Sequence, residues 1–312
     1  MTSFAFLFPG QGSQAVGMLD AWGDHPAVIQ TLTEASDALG IDVGRLVREG
    51  PKEQLDLTTN TQPVMLTAGI ACYRAWIAEA GRVPDALAGH SLGEYSALVA
   101  AGALTLTDAL PLVRFRAQAM QEAVPVGAGA MAAILGLEAQ VVRDGCAEAA
   151  QASGEVVEAA NFNDPKQTVI SGSQAGVAKA CELLKAAGAK RTLPLPVSAP
   201  FHCSLMKPAA ERLKSKLASV SINAPVVPVV NNIDVRVESD PAKIRDALYR
   251  QAFGPVRWFE TVQALRALGI GLLVECGPGK VLAGMVKRID STAESGAVYD
   301  PASLAEVRGL LA

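Results

Sequence analysis

The sequence is poor in positive charge and has no long apolar run. Its 27 Lys and Arg residues are outnumbered by 31 Asp and Glu residues, which gives a formal net charge of −4. Nucleic-acid binding needs concentrated positive charge, so we expect no nucleic-acid partner. The longest nearly uncharged apolar stretch, from Tyr95 to Thr107, is too short to span a bilayer, so we expect no membrane partner.

Cysteine and histidine are scarce and scattered. The five cysteines are an odd number spread along the chain, and no CxxC or HxxxH spacing occurs. Scattered thiols fit a reducing compartment better than a disulfide framework, and a zinc site needs clustered ligands. The start, MTSFAFLFPGQG, lacks the basic segment of a secretory signal, and its apolar run stops at Pro9. We therefore predict a cytoplasmic protein without a metal site.

The apolar residues that are present follow alternating strand and helix patterns. Hydrophobic residues make up 50% of the 312 residues and charged residues 19%, which is an ordinary globular composition. Strands that alternate with helices predict an α/β fold with a parallel sheet covered on both faces. The predicted strands are 4–8, 85–89, 226–231 and 271–275. The predicted helices are 25–39, 62–80, 92–100, 108–124, 206–219, 241–252 and 257–267, with a last helix after Gly277-Pro278-Gly279 and a weakly patterned final twenty residues.

Residues 127–196 have a different pattern from the rest of the chain. Predicted strands at 130–136, 155–161, 167–172 and 190–195 and helices at 138–152 and 174–187 follow the order βαββαβ. That order is the split ferredoxin-like motif. We therefore predict a ferredoxin-like domain at 127–196, inserted into a larger domain made of residues 1–126 and 197–312.

A serine stands in the spacing of a nucleophile elbow. Gly89, Ser91 and Gly93 fit G-x-S-x-G within the stretch ALAGHSLGEY. In that motif the serine lies on a sharp strand-to-helix turn with its hydroxyl exposed. Ser91 is therefore a candidate nucleophile if the chain supplies a base and an oxyanion site.

Only three histidines could act as the base for Ser91. His25 lies in the polar first turn of a helix, where we expect a solvated side chain. His90 is the sequence neighbour of Ser91, and neighbouring side chains on a strand point apart. His202 lies in the loop SAPFHCSLM, and loops on a rigid scaffold often carry catalytic groups. We predict His202 as the base.

No acidic residue is well placed to complete a Ser-acid-His order. Glu182 falls on a helix of the predicted insert, and Asp164 falls in a loop of the same insert. Neither follows a strand of the main sheet, where the acid of an α/β-hydrolase is expected. The sequence favours a Ser–His dyad that a backbone carbonyl orients.

The stretch FPGQGSQ allows two interpretations. Gly10, Gly12 and Ala15 match G-x-G-x-x-A, which suggests dinucleotide binding. However, Pro9 interrupts the junction, and no second strand ending in an acid follows at the required distance. The alternative is that glycine-flanked Gln11 brings backbone and side-chain donors to a ligand oxygen, as an oxyanion site requires.

Arg116 is the most informative charge. Its helical neighbours at positions 112, 113, 119 and 120 are all apolar, so the pattern predicts an inward-facing guanidinium. A buried guanidinium is costly without an anion. Two partners are open: a protein carboxylate in a salt bridge, or the carboxylate of a substrate if the helix lines the cleft of Ser91.

Together these stretches resemble a known family. The sequence is similar to the bacterial malonyl-CoA:acyl carrier protein transacylases over nearly its whole length. The motifs that carry the resemblance are FPGQGSQ, GHSLGEY, RAQAMQEAV, NFNDPKQTVISG, PFHCSLM and RQAFGPVRW, in this order. The resemblance implies an α/β-hydrolase-like core with a ferredoxin-like insert, and a Ser91–His202 dyad.

The resemblance also implies roles for residues around the dyad. It implies an oxyanion hole formed by Gln11 and the amide of Leu92, and Arg116 bound bidentately to the malonyl carboxylate. Phe201 and His90 would also contact substrate. Gln251, whose main-chain carbonyl would position His202, and Asn161 would have supporting roles. In related polyketide synthase domains the position of Phe201 correlates with acyl choice, although close relatives of this family carry serine there.

The implied reaction is ping-pong. A malonyl group passes from malonyl-CoA to Ser91, and then to the phosphopantetheine thiol of an acyl carrier protein in fatty acid synthesis. No cofactor is implied, because the CoA thioester and the phosphopantetheine are substrates. The alternatives are a trans-acting polyketide synthase acyltransferase, a serine esterase or thioesterase, and a non-catalytic CoA-binding or carrier-binding module.

Overall fold

The computed structural model describes residues 2–312. The strands are β1 (Phe4–Phe8), β2 (Ala86–Gly89), β3 (Gly129–Leu135), β4 (Val157–Asp164), β5 (Gln167–Ser173), β6 (Arg191–Pro194), β7 (Val229–Val230), β8 (Leu272–Cys276) and β9 (Glu294–Val298). The α-helices are α1 (Pro26–Leu39), α2 (Val43–Glu49), α3 (Lys52–Leu55), α4 (Thr58–Ala80), α5 (Gly93–Ala100), α6 (Leu106–Glu122), α7 (Ala139–Ser153), α8 (Gln174–Ala186), α9 (Lys207–Ala218), α10 (Pro241–Phe253), α11 (Trp258–Ala267), α12 (Val281–Ile289) and α13 (Pro301–Leu311).

Five parallel strands form the main sheet, in the order β7-β2-β1-β8-β9. β1 is central, and Phe8 at its end is paired with Gly89 at the end of β2. The loops that follow β1, β2 and β7 therefore leave the same edge of the sheet side by side. Ligands in open α/β sheets bind at this carboxyl edge, so this is where the functional residues are brought together.

Both faces of the parallel sheet are buried, which is why its strands are apolar throughout. On one face Phe4 and Phe6 pack against Trp76 of α4, with ring centroids 5.7 and 5.4 Å apart. This face belongs to the larger core, which α1, α4, α6 and α9 help to form. On the other face Ala5 and Leu7 pack in a second core with residues of α11 and α12.

Four antiparallel strands form a separate sheet from residues 129–194, in the order β4-β5-β3-β6. With α7 and α8 on one face, this is the ferredoxin-like arrangement that the βαββαβ pattern predicts. Main-chain bonds tie the sheet to the rest of the molecule. Phe162 donates to the carbonyl of Val256 (2.9 Å), and Val256 donates to Ala160 (2.8 Å).

Two predicted helix starts were wrong. α4 begins at Thr58 rather than at the predicted residue 62, with Leu57 as its N-cap, so Pro63 lies in its second turn. A hydrogen bond supports the extra turn, since the Thr61 hydroxyl donates to the carbonyl of Leu55 at 2.6 Å. α6 begins at Leu106 rather than at the predicted residue 108, and the hydroxyl of its N-cap Thr105 accepts the N–H of the residue at 108 (3.1 Å).

The C-terminal end holds more structure than its weak pattern indicates. β9 pairs with β8 at the edge of the main sheet, and α13 follows it, so α12 is not the last helix. At the opposite edge the predicted strand 226–231 is reduced to β7, Val229–Val230. β7 has only two residues, and β9 is buried only at its last two residues, so neither edge strand leaves a clear periodic signal in the sequence. Within residues 2–312 no helix has the length and apolar character needed to cross a membrane.

Candidate active site

Ser91 lies on a strained turn between β2 and α5. Its φ is +53°, a left-handed conformation that is costly for a residue with a side chain. The turn is tight enough to require glycine on both sides. A Cβ at Gly89 would lie 1.9 Å from the backbone of Gly93, and one at Gly93 would lie 2.0 Å from the carbonyl oxygen of Phe8. The G-x-S-x-G spacing thus reflects a backbone that only small flanking residues can form.

Ser91 and His202 form a hydrogen-bonded pair. The serine Oγ lies 2.6 Å from His202 Nε2, and His202 Nδ1 lies 2.9 Å from the main-chain oxygen of Gln251. Because a carbonyl oxygen only accepts, Nδ1 carries the proton and Nε2 is free to accept from the serine hydroxyl. Burial, and then the nearby charge of Arg116, lowers the pKa of His202 to about 3, which keeps the ring neutral. A neutral imidazole so oriented can act as a general base.

Gln11 and Leu92 lie beside the serine at adjacent strand ends. Gln11 lies in the loop after β1, and Leu92 is the N-cap of α5. The preceding Gly10 packs on the elbow, since a Cβ there would lie 2.7 Å from the carbonyl oxygen of His90. Among residues 2–312, neither the Gln11 nor the Leu92 backbone N–H has a protein acceptor. Two unpaired N–H groups beside a serine can receive an oxyanion.

Arg116 is 1% exposed and faces the serine from α6. Its guanidinium donates to Gln62 Oε1 (2.8 Å), to Gln251 Oε1 (3.1 Å) and to Ser91 Oγ (3.1 Å). Within the described chain no carboxylate lies within 4.0 Å of it, and its Nε has no partner. Burial lowers the pKa of this arginine. The salt-bridge alternative is thus not what the structure contains, and an anion-binding group remains beside the serine.

A buried polar network that we did not predict holds the backbone of the elbow. Glu94 Oε2 accepts from the main-chain N–H of Asn232 and from the side-chain Nε2 of Gln251, both at 2.9 Å. Asn232 accepts the N–H of Ser91 (2.8 Å) and donates to the Gly89 carbonyl (2.8 Å). Gln251 also donates to the Ser91 carbonyl (3.0 Å). The backbone on both sides of Ser91 is therefore fixed by side chains from distant segments.

Sequence signals for this network exist but are weak. Glu94 stands one helical turn after Ser91 within the GHSLGEY stretch, and Asn232 lies two residues after β7 at the carboxyl edge of the sheet. Gln62, which orients Arg116, is fully buried within α4. A polar residue in an apolar helix is the same signal that indicated Arg116.

His25 also differs from its prediction, since its Nδ1 caps α1 by accepting from the residue at 27 (3.2 Å).

The remaining predicted residues surround the same cleft. His90 Nε2 lies 2.9 Å from Asn163 Oδ1, and desolvation lowers the pKa of this histidine. The His90 ring therefore bonds a residue of β4 and not Ser91 or His202. Phe201 packs against the open face of the antiparallel sheet. The cleft, about 810 Å³, lies between the two sheets, and its lining includes Gln11, His90, Arg116, Asn161, Phe201 and His202.

The geometry supports acyl chemistry. It combines an activated hydroxyl, two free N–H groups and a buried cation without a protein counter-ion. Among residues 2–312 no cluster of three or more His, Cys, Asp or Glu side chains could hold a metal ion. The five cysteines are free, and burial raises the pKa of the Cys203 thiol to about 11, so it is a poor competing nucleophile.

Comparison with known proteins agrees with this chemistry. A family model described as acyl transferase domain matches residues 5–309. The malonyl CoA-acyl carrier protein transacylase of Escherichia coli (strain K12) is 53% identical over 306 residues, covering 98% of both chains. The Bacillus subtilis (strain 168) protein of the same name is 47% identical over 305 residues, covering 97% of this chain and 96% of its own. The chain belongs to the malonyl CoA-acyl carrier protein transacylase family.

Solved structures of this transacylase family share the whole fold. The acyl-carrier-protein S-malonyltransferase from Burkholderia pseudomallei 1710b is 63% identical, with a TM-score of 0.97 over 99% of this chain and 100% of its own. A malonyl-transacylase in complex with its type II PKS acyl-carrier protein is 49% identical, with a TM-score of 0.97 over 99% of this chain and 100% of its own. The α/β fold with an added antiparallel sheet is therefore the fold of the transacylase family.

Proposed function

We propose that this chain transfers malonyl groups from malonyl-CoA to the phosphopantetheine thiol of an acyl carrier protein, for fatty acid synthesis. The observation that carries the proposal is the position of Arg116. Its buried guanidinium has no protein carboxylate and lies 3.1 Å from the Ser91 hydroxyl. An acyl group with one methylene between its carboxylate and its thioester carbonyl would place that carboxylate on the guanidinium while its carbonyl meets the serine. Malonyl has this shape, and an Arg fork binds carboxylates bidentately.

In the first half-reaction Ser91 is acylated. His202 Nε2 takes the hydroxyl proton while Oγ attacks the malonyl thioester carbonyl, and the N–H groups of Gln11 and Leu92 bind the developing oxyanion. When the tetrahedral intermediate collapses, the C–S bond breaks and His202 gives its proton to the CoA sulfur. The products are free CoA and a malonyl-serine ester.

The second half-reaction reverses these steps with another thiol. The phosphopantetheine thiol of the carrier protein gives its proton to His202 and attacks the malonyl-serine carbonyl. Collapse breaks the Ser91 Oγ–C bond, and His202 returns the proton to Oγ. Because the same group serves as base and then as acid, its neutral resting state suits both halves. Transfer rather than hydrolysis requires that water be kept from the ester.

Two further properties follow from this proposal. The reaction needs no cofactor, because every group that changes comes from the two thioester substrates or from Ser91 and His202. We also propose a cytoplasmic location, which is supported by the five free cysteines, since such thiols are kept reduced there.

Intact-mass measurement tests the proposal directly. We expect malonyl-CoA to add one malonyl group to the protein, and phosphopantetheine-bearing carrier protein to remove it as malonyl-carrier. Ser91→Ala should form no adduct. An adduct on a cysteine would contradict the mechanism. Rapid loss of the malonyl group to water without carrier protein would instead indicate a serine thioesterase.

A further inference from the structure

One amide joins the two buried charges behind the serine. Gln251 Nε2 donates to Glu94 Oε2 at 2.9 Å, and Gln251 Oε1 accepts from Arg116 at 3.1 Å. Glu94 is 2% exposed, Arg116 is 1% exposed and Gln251 is fully buried. Within residues 2–312 no carboxylate lies within 4.0 Å of the Arg116 guanidinium, and no cationic side chain lies within 4.0 Å of Glu94. Glu94 therefore balances the charge of Arg116 through the amide when the cleft is empty.

A substrate carboxylate on Arg116 would change this balance. Two carboxylates would then share one buried guanidinium in a medium of low dielectric constant. Two like charges in such a site do not both stay ionised, because repulsion and desolvation favour the neutral form of one of them. The substrate carboxylate contacts the guanidinium directly, whereas Glu94 reaches it only through Gln251, so Glu94 is the weaker acid of the two.

The bonding of Glu94 leaves room for a proton. Oε2 accepts both hydrogen bonds, from Asn232 and from Gln251, so Oε1 can be protonated without breaking either bond. We propose that Glu94 takes up a proton from solvent when the malonyl carboxylate pairs with Arg116, and so sets the pH range in which malonyl is preferred over an uncharged acyl group. This inference rests on the proposed function, in which Arg116 binds that carboxylate. Glu94 is a positioning residue, since it touches no substrate atom.

Glu94 is the group near the guanidinium that titrates around neutral pH. Burial, only partly offset by its hydrogen bonds and by Arg116, raises its pKa to about 7. Opposite it, burial lowers the pKa of His202 to about 3, and burial raises the pKa of Tyr95 to about 12. Desolvation lowers the pKa of His90, and the hydrogen bond from Arg250 lowers that of Asp234. These neighbours keep one charge state while Glu94 changes its own.

The test is a comparison of malonyl-CoA and acetyl-CoA binding to the Ser91→Ala protein, which cannot turn either over. Calorimetry in two buffers of different ionisation enthalpy counts the protons taken up on binding. The CoA phosphates are the same in both ligands, so their titration cancels in the difference. Near pH 7.5 we expect malonyl-CoA to take up roughly half to one proton more than acetyl-CoA. As pH rises above about 7, the affinity advantage of malonyl-CoA should fall by up to about tenfold per pH unit.

Two second-site variants assign the proton. Glu94→Gln keeps the shape and the acceptor oxygen but cannot ionise, so the excess uptake should vanish and the malonyl advantage should become independent of pH. Glu275→Gln is the matched control. Glu275 is equally buried, accepts the N–H of Ala283 at 3.0 Å, and has a pKa raised to about 7 by burial, but it contacts neither the dyad nor Arg116. In this control the excess uptake should persist.

The outcomes separate this inference from the proposed function. Equal proton uptake for both ligands, or excess uptake that survives Glu94→Gln, would overturn the role of Glu94 while leaving a malonyl advantage that depends on Arg116. If malonyl-CoA has no advantage over acetyl-CoA at any pH, and Arg116→Ala changes neither affinity, the proposed role of Arg116 fails and this inference fails with it. Because the proton uptake for the two ligands is also compared in protein that retains Glu94, poor folding of Glu94→Gln would not prevent a decision.

Discussion

The main-chain oxygen of Gln251 lies 2.9 Å from Nδ1 of His202, where many serine enzymes place a carboxylate. A neutral acceptor fixes the tautomer of the imidazole without adding negative charge beside a substrate that carries its own. The side chain of the same residue contacts Arg116 and Glu94. One residue of α10 thus orients the base by its backbone and the carboxylate-binding group by its side chain.

This division of roles between the backbone and the side chain of Gln251 predicts that Gln251→Ala impairs malonyl transfer more than acetyl transfer. The carbonyl that orients His202 remains, and Asn232 still accepts the N–H of Ser91 after the Gln251 bond to the Ser91 carbonyl is lost, so acetyl transfer should fall by no more than about threefold. Arg116 loses one acceptor and Glu94 one donor, which costs about 1–3 kcal/mol for buried polar groups. Malonyl kcat/KM should therefore fall roughly ten- to hundredfold. Gln118→Ala, on the exposed face of α6, is the control and should change neither. An equal fall in kcat/KM for malonyl-CoA and acetyl-CoA would contradict this division of roles.

Arg116→Ala should separate acyl selection from acyl transfer. Removing the guanidinium leaves the malonyl carboxylate unpaired in the cleft, at a cost of about 3–5 kcal/mol. Malonyl kcat/KM should fall by roughly two to four powers of ten, while acetyl transfer is retained or improves. Both donors are compared on folded protein. Arg114→Ala, two residues along α6, is the control, since Arg114 donates to the main chain of Leu39 instead (3.2 Å). An equal loss for malonyl and acetyl would remove Arg116 from the substrate site.

His202 should make folding less favourable as pH falls. Its pKa in the folded protein, about 3, lies below its ordinary value of 6.5, so the unfolded chain binds more protons. The stabilisation is present above about pH 6.5 and is lost as pH falls toward the folded pKa, by up to about 1.4 kcal/mol per pH unit. Denaturant unfolding of wild type and His202→Asn between pH 8 and 4.5 measures this. The wild type should lose more stability over that range, and identical slopes would show that His202 does not titrate abnormally.

Carrier-protein docking should depend on local positive charge, since the chain is net negative. Three basic side chains lie together in the structure, because Lys166, Lys190 and Arg288 of α12 line one cleft of about 530 Å³. Asp164 bonds Arg288 within it at 2.7 Å. Reversing Lys166 and Lys190 to Glu should raise the KM for an acidic carrier protein about tenfold or more at low salt, and less at high salt.

Acylation by malonyl-CoA serves as the internal reference for this docking experiment. The rate of acylation should fall far less than the rate of transfer to the carrier, because none of the residues that line the cleft of Lys166 and Lys190 lines the active-site cleft. Lys179→Glu on α8 is the matched control, since Lys179 does not line this cleft but pairs with Glu182 at 3.0 Å, as Lys166 pairs with Glu138 at 2.6 Å. A carrier KM that stays constant across salt in the double variant would show that these lysines are ordinary solvated residues.

The sequence by itself determined the features whose cause is local. Gly89 and Gly93 mark the elbow because no larger residue fits that turn. The apolar strands and the βαββαβ order predicted both sheets, since alternation and periodicity are properties of short segments. Arg116 could be identified as inward-facing because its helical neighbours are apolar. The length of β7 was overestimated and β9 was missed, because β7 has only two residues and β9 is buried only at its last two, so neither gives a clear local pattern.

The tertiary structure decided how these local features combine. Asn232 lies 141 residues after Ser91 and Gln251 lies 160 residues after it, yet both bond its backbone. Glu94 is close to Ser91 in sequence, but its partners come from the loop after β7 and from α10. No periodicity encodes such contacts, because a polar side chain has the same local preference whether its partner is water or a residue from a distant strand end. The parallel sheet supplies the partners by bringing the carboxyl ends of β1, β2 and β7 to one edge, where burial makes every unpaired polar group costly.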